Sequence, residues 1–373
     1  MLCVIAVEHL GAQLKGPKYD ERLLFRGMTG ITLGGSQQQW TLKDRGKFLQ
    51  QSVSAAISVP ISNRILLTVS NSPGIAKSDT MKLQGIADTR VAFSYVVPGD
   101  RVWINGGVSL MTGVTKLTES QLRVASIISQ SALAYRVPVF GQGTNANLGF
   151  AYAIPAQRRL IVGLGASVLY KGEYQPSSIT GLSDKYDPGD EISVNGGFDY
   201  ATFSKSSRLS ADVTVTNYFP DKLNGENFIQ SGLRVMAVVV YSLKWGETAH
   251  LVQLRTRQRT QSEIFNSGVS EKFKSSQHYE FQYTASWFPM KWCSLSGLLE
   301  GKVYTGDQIP LGIGIFETGT AKLASGGVEA GLAVFSSLSV SLNAKYGTGS
   351  VVIDNVKNTA TGIEFGGGMR LQF

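Results

Sequence analysis

No stretch of this sequence approaches the ~20 consecutive apolar residues that a membrane-crossing helix needs; "VMAVVVY" (235–241) is about a third of that length. A helical membrane protein is therefore excluded. Two cysteines, Cys3 and Cys293, are too few for a disulfide framework. Only three histidines exist, His9, His250 and His278, with no Cys/His or EF-hand spacing for a metal and no phosphate loop. His278 stands near Glu280, yet no glycine-rich nucleophile turn accompanies it, so no catalytic residue, metal or cofactor is expected and the chain is not read as an enzyme. The net charge of +8 contains no Lys/Arg block, which argues against nucleic acid as a partner. Charged residues are also scarce, at 17%, where a soluble protein carries about 25%. A chain with 42 glycines, 11 prolines and so few charges has little surface designed for water.

What the sequence does have is alternation. In "HYEFQYTASWFPM", Tyr279, Phe281, Tyr283, Ala285 and Trp287 form one row and Glu280, Gln282, Thr284 and Ser286 the other. Successive side chains of a strand point to opposite faces, so this is strand periodicity. One such strand fits a soluble sheet equally well; the repetition is what counts. Leu49, Val53, Ala55, Ile57 and Val59 alternate with Gln50, Ser52, Ser54 and Ser58, and Ile192, Val194, Phe198 and Tyr200 with Ser193, Asn195, Gly197 and Asp199. Leu338, Val340, Leu342 and Tyr346 alternate with Ser339, Ser341, Asn343 and Lys345. The apolar rows carry no charge, as a lipid-facing row requires when a basic residue at mid-bilayer costs about 2–4 kcal/mol.

The connections alternate as well. Short turns are expected at 60–64, 97–101, 155–159, 204–208, 244–248, 288–291 and 335–339, and long polar loops near 71–84, 114–143, 172–190, 218–227, 260–276, 304–318 and 347–361. Tyr95, Tyr152, Phe203, Trp245, Trp287, Trp292 and Phe335 gather beside the short turns, where an aromatic girdle belongs. These signs give an all-β chain: a transmembrane antiparallel up-and-down β-barrel of about sixteen strands, the first within 26–36. The count falls to fourteen if the Leu66 or Val351 regions are loops. The expected organisation is a truncated signal-peptide remnant at 1–12, a periplasmic or plug segment at 13–25, and a barrel over 26–373. The final stretch "GMRLQF" carries Gly368, Leu371 and Phe373 in the pattern of a terminal-strand address for the barrel-assembly machinery.

The region 85–190 resembles the long-chain fatty-acid transporter family and the related outer-membrane proteins of aromatic-degradation pathways. The residues that carry this are "GIADTRVAFSY" (85–95), "GGVSLMTGVTKLTESQL" (106–122), "FGQGTNANLGFAYAI" (140–154) and "YDPGDEISVNGGFDY" (186–200). Met111-Thr112-Gly113 stands where the family has Pro-Thr-Gly, and its Asn-Pro-Ala plug motif is absent. The resemblance implies an outer-membrane channel whose substrate enters from outside and leaves through a kink or gap in the wall.

Two constellations stand out within a barrel reading. Arg255, Arg257 and Arg259 share one row, with Arg234 on the inward row of the preceding strand. They form either a cationic track for an anion or a set neutralised by lumen acids such as Asp212, Glu280, Glu300 and Glu329. The loop 115–140 opens with a capping box, Thr118 with Gln121, before a short helix whose Leu122, Ala125, Ile127 and Ile128 share a face. That helix is a lid or docking groove, or else an interfacial or constricting segment. The expected function is passive uptake of hydrophobic or amphipathic small molecules, of fatty-acid or aromatic type, through the outer membrane of a Gram-negative bacterium. Its expected partners are outer-membrane lipid, lipopolysaccharide and the barrel-assembly machinery. The alternative is a structural or adhesive barrel with ligand-binding external loops.

Overall fold

A computed structural model describes residue 25 and residues 29–373, apart from 44, 80, 129–132, 134, 136–140, 177–184, 203–205, 267–268, 307–308, 313–314, 318 and 354–355. Residues 1–12 and nearly all of 13–25 thus lie outside the described residues, as does Phe203.

Sixteen antiparallel strands close into a barrel. In chain order they are β1 Gly30–Leu42, β2 Gly46–Ser62, β3 Ile65–Asn71, β4 Thr89–Val96, β5 Val102–Leu110, β6 Asn145–Gln157, β7 Leu160–Lys171 and β8 Glu191–Ala201. There follow β9 Ser207–Tyr218, β10 Arg234–Trp245, β11 Thr248–Arg259, β12 Ser276–Met290, β13 Cys293–Thr305, β14 Ala321–Phe335, β15 Leu338–Ile353 and β16 Val356–Gln372. Each pairs with its neighbours in sequence, and β16 closes on β1 from Gly30 opposite Gln372 to Leu42 opposite Ala360. Closure satisfies every strand edge, which a nonpolar surrounding demands. An even count returns both ends of the barrel chain to the end that carries the short turns, here the turn end; the other is the loop end.

The first strand begins at Gly30, inside the expected 26–36, and runs on to Leu42. Both doubtful regions, around Leu66 and Val351, are strand. Several expected loops are also wall. Residues 347–361 are taken up by β15 and β16 except at 354–355, and the 71–84 region holds two short strands, Pro73–Lys77 and Lys82–Ile86. Those two prolong β3 and β4 after a break, the first still pairing with β2. The loops near 218–227 and 260–276 contribute to a separate five-stranded sheet at the loop end, with Tyr186–Asp187 at one edge.

The wall has two regimes. Through most of its height the outward row is apolar: Val53, Leu148, Val194, Leu254, Leu299, Leu342 and Phe365 are each more than half exposed. Their inward neighbours on the same strands include Ser54, Gln253, Glu300, Asn343 and Glu364. Apolar outside and polar inside is favourable only where the surroundings are nonpolar. Trp245, Trp287, Trp292 and Phe335 are exposed at the turn end, in the position of the expected girdle.

At the loop end of β1, β2 and β14–β16 the pattern reverses. Trp40, Leu42, Phe48, Leu323, Val351, Ile353 and Ala360 point inward and are buried together. The outward row there reads Thr41, Lys47, Lys322, Thr348, Ser350, Thr359 and Lys357. This is the pattern of a soluble sheet, so these long strands stand above the apolar belt. Their alternation continues; only the chemistry of the two rows is exchanged.

Gly368 and Leu371 lie on the closing strand, Leu371 opposite Ile31, and the Phe373 N–H donates to Thr29 O at 3.0 Å while its ring stays exposed. That ring therefore contributes little to packing. Deleting Phe373 should leave purified protein able to fold in detergent but strand it in the periplasm of cells. Normal membrane insertion of the truncated chain in cells would refute an address role for the terminal residue.

Candidate channel lumen and mouth

The arginines occupy the inward row, as their alternation requires. Arg234 lies directly opposite Arg259, and Arg255 opposite Glu280. Arg255 Nη1 donates to Glu280 Oε2 at 3.0 Å, and the Tyr304 hydroxyl donates to the other oxygen at 2.7 Å. Arg257 Nε donates to His278 Nδ1 at 2.9 Å, and the His278 ring lies 4.4 Å from that of Tyr304. Arg234 reaches Glu191 at 3.7 Å, and Lys171 holds the same carboxylate at 2.7 Å. Arg234 and Arg259 also stand over the Tyr218 ring at 5.3 and 5.0 Å, with the Lys171 ammonium at 5.8 Å. An aromatic face among three cations gains from each of them.

The expected acids divide differently. Glu280 does meet an arginine. Glu300 serves lysines instead: Lys302 at 2.7 Å and Lys345 at 2.6 Å, with Ser325 Oγ donating at 3.1 Å. Asp212 sits beside Gly197, where an added Cβ would collide with its carboxylate. Glu191, Tyr218, Lys171, Tyr304, Lys302 and Lys345 were not singled out from the sequence. All but Lys302, which shares β13 with Glu300, stand on other strands than their partners, and pairing across strands depends on register, which one strand's alternation does not carry.

The charged side chains crowd one half of the wall. Between Trp103 and Asp199 towards the turn end and Lys171 and Glu191 at the loop end, the inward row of β5–β8 is small: Asn105, Gly107, Asn147, Gly149, Gly165, Ser167, Ser193, Asn195 and Gly197. Sixteen strands make a barrel wider than its own side chains fill. The lumen is therefore lopsided, with a charged side facing a small, polar one.

The mouth is shaped by the segment 111–144. Asp88 holds its two ends, accepting the Gly113 N–H at 2.9 Å and the Gln142 N–H at 2.8 Å. Gly113 passes so close to Gly141 that a Cβ would come within 2.6 Å of it. Helix α1, Glu119–Ile128, starts at the expected capping box: Thr118 N–H donates to Gln121 Oε1 at 2.9 Å, and Gln121 N–H returns to Thr118 Oγ1 at 3.4 Å. Val124 and Ala125 are buried against Ala76 and Leu83 of the short extension strands, with Leu122 half-buried beside them. Val124 was missed in the sequence because its stripe was drawn through Leu122 and Ala125. Ile127 and Ile128 lie in the helix, but their side chains are outside the described residues.

Beyond the helix, Leu133 is fully buried in the inward apolar cluster and its carbonyl accepts from Gln38 Nε2 at 2.8 Å. The Tyr135 hydroxyl donates to Phe48 O at 3.1 Å, and burial pushes its pKa up. Leu133 and Tyr135 thus narrow the mouth from within. In the same cluster as Leu133, Trp40 lies over Gly347 and Gly362, where a Cβ would stand 3.1 and 2.6 Å from the indole. At the turn end Phe25 is buried edge-on against Trp103, ring centroids 6.1 Å apart.

The external sheet is tied down by a buried carboxylate. Asp221 accepts from the Tyr186 hydroxyl and from the Gly189 N–H at 2.8 Å, while burial raises its pKa above the ordinary 3.8.

No protein-family model matches the chain, and no curated protein matches it in sequence. Among solved structures, CdiB from Acinetobacter baumannii superposes with a TM-score of 0.51 at 11% identity, over 92% of this chain and 60% of that one. The chain has an outer-membrane-type barrel fold. It spans about 60% of the length of CdiB. The TodX monoaromatic hydrocarbon channel (deltaS2 mutant) gives 0.47 at 9% identity, over 92% of this chain and 90% of that one. OprD of Pseudomonas aeruginosa gives 0.47 at 9%, over 95% and 98%. At such identities the likeness is one of fold, and the fatty-acid branch receives no support from it.

Trp40→Ala tests the constriction. Truncating a buried tryptophan should cost about 3–5 kcal/mol, measured by urea unfolding of the folded protein in bilayers. Because the indole walls the mouth, single-channel conductance should rise in the same variant. Unchanged conductance would place the narrowest point elsewhere.

Proposed function

We propose that the chain is a channel of the bacterial outer membrane for passive uptake of hydrophobic or amphipathic small molecules. One observation carries the reading: an apolar mouth opens onto a lumen with a cation-bearing wall on one side and small polar residues on the other. Trp40, Phe48 and Leu133 are packed together as the apolar wall of the mouth, with Tyr135 half-buried against them. At the loop ends of β7, β10 and β11, Lys171, Arg234 and Arg259 surround Tyr218, a combination suited to a carboxylate carried on an aromatic or aliphatic body. The strands pair in order from β1 through β16 and back to β1, so the route we favour runs along the axis past Trp103, not through the wall. The outward apolar row and turn-end tryptophans support the membrane location. Residues 13–25 would enter the turn end as a plug; Phe25 against Trp103 is consistent with that.

A structural or adhesive role is favoured by one feature, the five-stranded sheet held above the rim. Reconstitution separates the two. Full-length protein in planar bilayers should conduct, and in vesicles it should admit an aromatic carboxylate such as benzoate. Replacing Arg255, Arg257 and Arg259 with glutamine should lower anion preference and benzoate uptake several-fold while the heat-modifiable folded form persists. Absence of both conductance and uptake in the parent protein would reject the channel and leave the adhesive reading. Unchanged selectivity in the triple variant would leave the arginines a structural role only.

A further inference from the structure

Six lysines lie on the outward side of one sector of the loop-end rim: Lys43, Lys47, Lys77, Lys82, Lys322 and Lys357. Register fixes their direction. Trp40 and Leu42 point inward, so Thr41 and the Lys47 opposite it point outward. Phe48 and Gln50 are buried inside, so Leu49 and the Lys77 opposite it point outward, and Lys82 pairs with Lys77. Lys322 stands opposite the exposed Val303, and Lys357 lies next to the inward Asn358. Lys43 joins this rim through its N–H to Thr359 O at 3.0 Å. None of the six ammonium groups forms an ion pair among the described residues. Asp79 is the carboxylate closest to hand, with Oδ2 3.5 Å from the backbone nitrogen of Lys47.

Such an arrangement is unfavourable in isolation. Like charges directly opposite each other, as in Lys77 and Lys82, destabilise a sheet, and Lys47 is diagonal to Lys77 at about 7–8 Å. Edge protection accounts for lysines on an exposed hairpin, but Lys47, Lys322 and Lys357 sit on fully paired strands. Their shared property is height: they occupy the outward row just where it ceases to be apolar. Immediately below Lys322 the outer wall is hollowed into a groove of about 680 Å³, lined by Leu254, Phe281, Gly301, Val303 and Ala324 with Lys322 at its margin. The hollow exists because Gly301 and Ala324 carry no bulk between larger outward neighbours.

We infer that this rim binds a phosphate-bearing, acylated lipid of the outer leaflet, of the lipopolysaccharide type. Its phosphates lie on Lys322 and the neighbouring lysines, and one acyl chain lies in the groove beneath. The inference rests on the outer-membrane reading. Charge and shape each narrow the choice: a zwitterionic lipid would fill the groove but leave the lysines uncompensated, and a soluble phosphate would do the reverse.

The test uses full-length protein in nanodiscs of phosphatidylcholine, titrated with lipid A and read by native mass spectrometry. Lipid A should bind at least tenfold more tightly than phosphatidylcholine or lipid A stripped of phosphate. A lysine near an anionic lipid surface contributes roughly fivefold, so Lys43→Gln/Lys322→Gln/Lys357→Gln should weaken lipid A by roughly 100-fold. Gly301→Phe should weaken it too while sparing any effect of inorganic phosphate, because a Cβ at 301 meets nothing within 4 Å and the added ring fills only the groove. Equal affinity for phosphatidylcholine, or full lipid A affinity in the triple lysine variant, would overturn the inference. Loss in the lysine variant without loss in Gly301→Phe would overturn its acyl half. Channel conductance in the same nanodisc lipids should be unaffected by these outward changes; a parent protein that fails to insert at all would instead reject the membrane reading.

Discussion

The long strands β1, β2 and β14–β16 meet two different solvents on their outer face, one nonpolar and one aqueous, and the boundary between them organises the rest. Where the surroundings are nonpolar, an outward charge costs about 2–4 kcal/mol at mid-depth, so the wall places its apolar row outside and keeps its charges for the lumen. Above the boundary the balance reverses, because water now lies outside and the interior can be filled. Leu342 and Tyr346 face out on β15, then Thr348 and Ser350 take over that row while Val351 and Ile353 go inward. The same exchange runs from Phe365 to Lys357 on β16 and from Val328 to Lys322 on β14.

Two consequences follow for the interior. Below the boundary the lumen holds charges that must meet partners, and it pairs them: Arg255 with Glu280 across neighbouring strands, and Glu300 with Lys302 two residues along its own strand and Lys345 two strands away. Above it the inward row forms an apolar core around Trp40 and Phe48, and that core captures Leu133 of the long loop. The constriction is thus a small soluble core built inside the top of a membrane barrel. The loop is there because the inverted strands offer it something apolar to bury against.

The architecture was legible from alternation, and the reason is physical: side-chain direction reverses at every residue whichever solvent is outside. The rows of Tyr279–Trp287 and Leu338–Tyr346 marked strands without any knowledge of which face met lipid. The upper wall was less legible. Residues 347–361 read as a polar loop because Thr348, Ser350, Lys357, Thr359 and Thr361 occupy the row that lower down is apolar. Their alternation with Val351, Ile353 and Ala360 is clear only once a soluble pattern is admitted at the end of a membrane strand. The arginine row was visible, and so was the acidic alternative for its partners. Which acid meets which base across strands depends on register, and so Glu300 was matched to arginines when Lys345, two strands away, and Lys302 on its own strand hold it. The capping box at Thr118 and Gln121 was readable because it is local; Val124 became visible only through the surface it buries against.

The exchange of rows is best tested along β15 by nitroxide labels placed singly in protein lacking Cys3 and Cys293, with oxygen and a water-soluble nickel complex as relaxation agents. At positions 342 and 346 the label should respond to oxygen, and at 348 and 350 to nickel. On the opposite row, 343 should respond to nickel and 351 to neither. An outward row that stays oxygen-accessible up to 350, or a shielded 342 beside a lipid-exposed 351, would contradict the account.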